Sequence, residues 1–160
     1  LRGRSLTLDN LSIEDANHKL VSEGFNGNVL EIQAEIEIGN ADDVGFSVLE
    51  GEGGAEKTLI GFTANPAEVY VDRSQSGIAD FHETFAGRHS ARLDPINGRV
   101  NLRILIDRSV VEVFAGDGRV AITDRVFPDP ASKGLTLYSK GGQAKVVGLK
   151  AWRLRSAWKQ

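Results

Sequence analysis

Leu102–Pro128, LRILIDRSVVEVFAGDGRVAITDRVFP, reads as two β-hairpins in succession and decides the fold class. Val100, Leu102, Ile104 and Ile106 alternate with Asn101, Arg103, Leu105 and Asp107, the period of two that turns one face of a strand into a core. Arg108-Ser109 is a turn signal. A two-residue turn there sets Asp107 opposite Val110, Ile106 opposite Val111 and Leu105 opposite Glu112. Arg103, Asp107 and Glu112 then share the face opposite Ile104, Ile106, Val111 and Val113. Asp117-Gly118 is a strong hairpin signal, because both central residues of a type I′ turn need φ > 0. Val120–Val126 returns as a strand, and Pro128 and Pro130 end it by removing ladder donors.

Outward from this run the same grammar repeats. Leu30, Ile32, Ala34, Ile36 and Ile38 face one way and Glu31, Gln33, Glu35 and Glu37 the other, a half-buried antiparallel strand with a solvated outer face. Arg4–Asp9, Val44–Glu50, Thr58–Thr63, Glu68–Asp72, Gly134–Ser139 and Lys145–Leu154 are further strand candidates. Ser12–Lys19 is polar enough to hold one helical turn. Phe81–Arg92 reads as an irregular loop, rich in charge and aromatics. Strands spaced by ten to twelve residues predict an all-β chain folded as a two-sheet antiparallel sandwich, one domain over residues 1–160.

Composition removes several functions. A net charge of −3 argues against nucleic-acid and anionic-membrane partners, which need concentrated Lys and Arg. No apolar run reaches the ~18 residues of a membrane span. There is no cysteine, so disulfides and thiolate metal sites are excluded. His18, His82 and His89 lack metal-ligand spacing, and Asp42-Asp43 is a weak calcium signal outweighed by a solvated turn; we expect no metal and no cofactor. With no methionine, the chain reads as a piece excised from something longer.

Three segments resemble a known family in order along the chain. They are Tyr70-Val71-Asp72-Arg73-Ser74 with Ser76-Gly77, then Phe81…Phe85…Arg88-His89-Ser90-Ala91, then Asp107-Arg108-Ser109-Val110-Val111-Glu112-Val113-Phe114. The family is glycoside hydrolase family 32, the invertases, levanases and inulinases, and the likeness is to its C-terminal β-sandwich or to the related carbohydrate-binding module family 66. The resemblance implies a jelly-roll, lectin-like sandwich of about six strands per sheet. It also implies a secreted, extracellular parent enzyme. The family's catalytic motifs lie in a propeller; the nearest strings here, Leu93-Asp94-Pro95 and Phe127-Pro128-Asp129-Pro130, lack their context. The chain is therefore expected to be non-catalytic by itself.

Two functions follow from the resemblance. One is a carbohydrate-binding module holding the terminal fructosyl unit of levan or a related β-fructan and targeting an attached hydrolase. The other is an accessory sandwich that stabilises the catalytic propeller of the same parent chain. Seven residues are candidates for the sugar site. Asp72 and Arg73 pair a carboxylate with a guanidinium, which can share vicinal hydroxyls, or else tie down a loop. Glu83 and Arg88 flank Phe85 in the long loop, where lectin-like sites often lie. Asp107 and Glu112 can accept from sugar hydroxyls or lock their hairpin by pairing with Arg103 or Arg125. Tyr70 offers a stacking face, or else packs at the rim. Asp107 and Glu112 also invite a glycosidase reading, but nothing supplies the rest of such a site. Trp152 is read as core, and Trp158 sits near a terminus.

Overall fold

The computed structural model describes residues 1–155. Eleven strands follow one another as β1 (Arg2–Ser12), β2 (Val29–Glu37), β3 (Asp43–Glu50), β4 (Thr58–Ala64), β5 (Ala67–Asp72), β6 (Arg88–Arg92), β7 (Arg99–Asp107), β8 (Val110–Ala115), β9 (Val120–Arg125), β10 (Gly134–Lys140) and β11 (Lys145–Leu154). A helix, α1 (Ile13–Ser22), separates β1 from β2. The strands form two antiparallel sheets, β1-β11-β2-β7-β8-β9 and β10-β3-β4-β5-β6. Both bury their apolar faces in one core, with Ile32, Ile36, Ile104, Ile106 and Val111 from the first sheet and Phe46, Ile60, Phe62, Val69 and Val71 from the second.

The decisive run pairs in the register its alternation requires. Asp107 faces Val110, Ile106 faces Val111 and Leu105 faces Glu112. Asp117 and Gly118 carry φ of 56° and 85° in the β8–β9 turn, the left-handed pair that this turn demands. Asn97 and Gly98 do the same ahead of β7, at 51° and 70°.

Four local readings need correction. The helix is ten residues rather than a single turn, because the Ser12 hydroxyl caps it by accepting from the Asp15 N–H while Glu14 and Asp15 favour its N-terminus. The stretch Phe81–Arg92 is not all loop: Arg88–Arg92 is the edge strand β6, whose sequence RHSAR shows no apolar alternation because the strand is largely exposed. Trp152 is not core. The β11 ladder shifts between Val146 and Gly148, and that bulge moves the following alternation so that Leu149 and Ala151 point inward and Trp152 outward. Arg103 pairs with neither Asp107 nor Glu112, since its Nε donates to Glu31 Oε1 on the other neighbouring strand at 3.1 Å. Trp158 lies outside the described residues.

Helix α1 closes one side of the second sheet. The Asn17 side-chain amide donates to the Leu137 carbonyl at 2.9 Å and accepts from the Leu137 N–H at 2.8 Å. It stands where a further strand would otherwise pair with β10.

Candidate functional site

The seven sugar-site candidates divide among three places. Tyr70, Asp72 and Arg88 lie on the outer face of the five-stranded sheet, because Tyr70 and Asp72 alternate with the core residues Val69 and Val71, and Arg88 is the cross-strand partner of Asp72. Arg88 Nε is 3.5 Å from Asp72 Oδ2, and the guanidinium carbon stands 3.7 Å from the centre of the Tyr70 ring. Asp72 Oδ1 accepts from the Ser74 N–H at 3.0 Å and the Ser74 hydroxyl at 2.6 Å. Burial works against the Asp72 carboxylate, but Ser74 and then Arg88 outweigh it and hold its pKa below the ordinary value. The pair stays reachable, with 42% of the Arg88 side chain and 20% of the Asp72 side chain exposed.

Beneath Arg88 the tyrosine is occupied on every side. Tyr70 is 1% exposed. Its hydroxyl donates to Asp43 Oδ1 at 2.7 Å and shares a short hydrogen bond with the Tyr138 hydroxyl. Tyr138, Gly45, Gly61 and Tyr70 form one cross-strand row. Because the two middle positions lack side chains, both rings can lie flat over the sheet and meet. A Cβ on Gly45 would stand 2.8 Å from the Tyr138 oxygen, and one on Gly61 would stand 2.8 Å from that of Tyr70. Burial first, then Tyr138 and Asp43, push the Tyr70 phenol far above its usual pKa; burial does the same to Tyr138. Both phenols stay neutral throughout the physiological range. With Arg88 over the ring, Tyr70 supports the guanidinium and offers no free face for a sugar.

Arg73 turns inward, toward the open side of the sandwich between β6 and β9. Its Nη1 donates to the Arg125 carbonyl at 3.1 Å and lies 3.4 Å from Asp124 Oδ1, and its guanidinium stacks 4.0 Å from the Phe85 ring centre. His89 Nδ1 meets the same Asp124 oxygen at 2.7 Å. These contacts tie β6 and the long loop to β9. Phe81, Phe85 and Phe127 pack together beside them, with centroids 4.5–5.7 Å apart. Glu83 is exposed on that loop.

Asp107 and Glu112 are elsewhere. Their alternation with Ile106, Val111 and Val113 puts them on the outer face of the six-stranded sheet. Since the inner faces share one core, the two outer faces point in opposite directions. Asp72 and Asp107 therefore lie in different sheets, on opposite outer faces. Sequence reasoning also missed the hub of that second face. Glu31 is 4% exposed, and its carboxylate accepts from Arg2 Nε and Nη2 at 2.9 and 2.8 Å, from Gln33 Nε2 at 2.9 Å and from Arg103 Nε at 3.1 Å. The Arg2 bonds, with Gln33 and Arg103 adding to them against the cost of burial, hold its pKa down to about 2. Arg2 in turn stacks 3.9 Å from the Trp152 ring centre. Among the described residues, no group of three His, Cys, Asp or Glu side chains could hold a metal ion.

Two packed antiparallel sheets with polar outer faces define a lectin-like β-sandwich. The chain belongs to the glycosyl hydrolases of family 32, as their C-terminal domain, which fits residues 1–153. It is similar to the levanase of Bacillus sp. (strain L7), 45% identical over 141 residues that make up 86% of this chain and 15% of the levanase. It is also similar to the levanase of Bacillus subtilis (strain 168), 42% identical over 161 aligned positions, 99% of this chain and 23% of that protein. The crystal structure of exo-inulinase from Aspergillus awamori superposes with a TM-score of 0.81 at 26% identity, covering 98% of this chain and 30% of the inulinase chain. The extracellular exo-inulinase of that organism is 36% identical over 104 residues, 64% of this chain and 19% of the enzyme. The chain thus spans less than a quarter of the length of either of these two levanases. Catalysis in family-32 enzymes sits in the N-terminal propeller, which these residues do not cover, and this C-terminal domain is non-catalytic.

Proposed function

We propose that this chain is a fructan-binding module, a single domain of a larger secreted fructan-degrading enzyme that holds the terminal fructosyl unit of levan or a related β-fructan. The observation that carries the reading is the Asp72–Arg88 pair, a reachable carboxylate and guanidinium on a rigid strand pair, backed by Tyr70 and by Ser74. A furanose presents adjacent hydroxyls. A carboxylate accepts from two of them while a guanidinium donates to the same oxygens. In this reading Arg73 positions the loop through Asp124 and Phe85, and Glu83 on that loop supplies a further acceptor. Asp107 and Glu112, on the opposite outer face, are left out of the pocket. The similarity to two levanases supports fructan as the sugar class, and tethering to chain ends would raise the local concentration of substrate near the propeller.

Titration with millimolar fructose, read by calorimetry and amide chemical shifts, tests the reading. Arg88→Ala and Asp72→Ala, each confirmed folded by circular dichroism, should bind at least tenfold more weakly, since a hydrogen bond to a charged partner contributes about 1.5–3 kcal/mol. Asp107→Ala should bind as wild type does. Absence of heat and shifts with wild type would overturn the terminal-fructose site.

A second reading has its own observation. Ile78 and Phe81 are 64% and 57% exposed beside the Phe85–Phe127 pair, an apolar cluster at one side of the sandwich. As an accessory domain, the chain would seat that cluster on the catalytic propeller of its parent. Ile78→Ser with Phe81→Ser would then lower the thermal stability of the parent enzyme by more than that of the isolated sandwich, where Phe81 packs on Phe85 and Phe127.

A further inference from the structure

Across the outer face of the six-stranded sheet runs a groove of about 840 Å³, within the size range of ligand sites. Strand register builds it as two parallel rows. Asp9, Gly148, Glu35 and Asn101 are cross-strand partners in one row, and Lys150, Gln33, Arg103 and Phe114 in the other. The groove reaches from β1 to β8, five neighbouring strands, or about 19 Å at the usual strand spacing. That is far longer than one sugar ring. Gly148 contributes no side chain, which deepens the middle of the first row.

The rows differ in hydrogen-bonding character. The first offers carboxylates and an amide, chiefly acceptors, while the second offers an ammonium, a guanidinium and an amide, chiefly donors, and ends on an aromatic ring. A hydroxyl both donates and accepts, so a polyhydroxylated chain lying lengthwise could satisfy both rows at once. The groove also balances its charge: Arg2, Arg103 and Lys150 against Asp9, Glu35 and Asp117. An anionic ligand would meet the carboxylate row at close range, so the balance selects a neutral one. Much of the lining is already held in place. Glu31 fixes Arg2, Gln33 and Arg103, and Arg99 Nη1 fixes Glu35 at 3.1 Å. Side chains fixed beforehand lose little rotamer freedom when a ligand arrives.

We propose that this groove is a second carbohydrate site, one that takes an internal stretch of a neutral glycan chain, separate from the terminal-fructose site. The proposal rests on the carbohydrate-binding reading of the chain and extends it from chain ends to chain interiors. Its test compares three probes by amide chemical shift and calorimetry: fructose, a levan or inulin oligosaccharide of about six units, and a sulfated polysaccharide. The oligosaccharide should shift the amides of Gln33, Asn101, Arg103, Phe114 and Lys150, and fructose should not. Asn101→Ala with Lys150→Ala, and separately Phe114→Ala, should weaken oligosaccharide binding at least tenfold while fructose binding is unchanged. Neither variant removes a bond of the Glu31 hub, so both should fold. Oligosaccharide shifts confined to the surroundings of Asp72 and Arg88, or unchanged affinity in both variants, would overturn the groove and leave the terminal site standing. Groove shifts with the oligosaccharide and no response to fructose would sink the terminal site alone. Binding of the sulfated polysaccharide in the groove, more tightly than the neutral oligosaccharide, would overturn the assignment of a neutral ligand.

Discussion

The two outer faces of this sandwich begin from the same sequence rule and end as different surfaces. Along β2, polar residues alternate outward and stay polar: Glu31 gathers Arg2, Gln33 and Arg103 into one network beside an open groove. Across β3 to β5 one outward row is Gly45, Gly61 and Tyr70, and the missing side chains let Tyr70 and Tyr138 fold down and cover the sheet beside the exposed Asp72–Arg88 pair. A period of two states which residues leave the core. Whether the surface they make is open or closed depends on what the neighbouring strands put beside them.

Four substitutions would break or sharpen that contrast, the largest effect first. Gly61→Ala drives a Cβ to 2.7 Å from the Val44 carbonyl oxygen and into both phenols, and we expect a loss of about 3 kcal/mol in urea unfolding. A neutral result would mean that the tyrosine row can lift off the sheet. Glu31→Gln should cost about 2 kcal/mol at pH 7, from weakened bonds to two guanidinium groups. Because the folded carboxyl has a pKa of about 2 against an ordinary 4.5, its contribution is complete above pH 4.5 and is lost as pH falls toward 2. Wild-type and variant unfolding midpoints should therefore converge over that window; parallel curves would show that Glu31 acts by packing and not by charge. Tyr138→Phe deletes the phenol shared with Tyr70 but leaves the Tyr70–Asp43 bond, and about 1 kcal/mol is the expected loss. Gly148→Ala, on the open face, meets only Asp9 Oδ1 at 3.7 Å and should change stability by less than about 0.5 kcal/mol while making the groove shallower.

The strands with clean alternation, Leu30–Ile38 and Leu102–Phe114, could be read from the chain, as could the turns at Asn97-Gly98 and Asp117-Gly118, because each signal is local. What escaped was set by distance along the chain or by phase. Arg103 was read against the hairpin partner in view, whereas Glu31 lies 72 residues away on the strand at its other side. Tyr70 and Tyr138 are 68 residues apart, and neither ring announces that two glycines will lie between them. Strand β6 is polar because it is an exposed edge, so it carries none of the apolar rhythm that marks a strand. Trp152 was misplaced by one bulge, which a count of alternating positions does not see. For the site, residue types were readable, but their division between opposite faces was not, because a list of charged residues carries no sheet assignment.

The Asn17 amide that occupies the backbone of Leu137 has a consequence for the molecule in company. A free sheet margin recruits strands from other chains, the usual beginning of fibrils and swapped oligomers. Here a single side chain on α1 acts as a stopper, filling the donor and the acceptor that a foreign strand would need at the middle of β10. Solubility on that side of the protein is thus guarded by a helix of ten residues, and Asn17→Leu would be expected to reveal itself as concentration-dependent association well before it registered as unfolding.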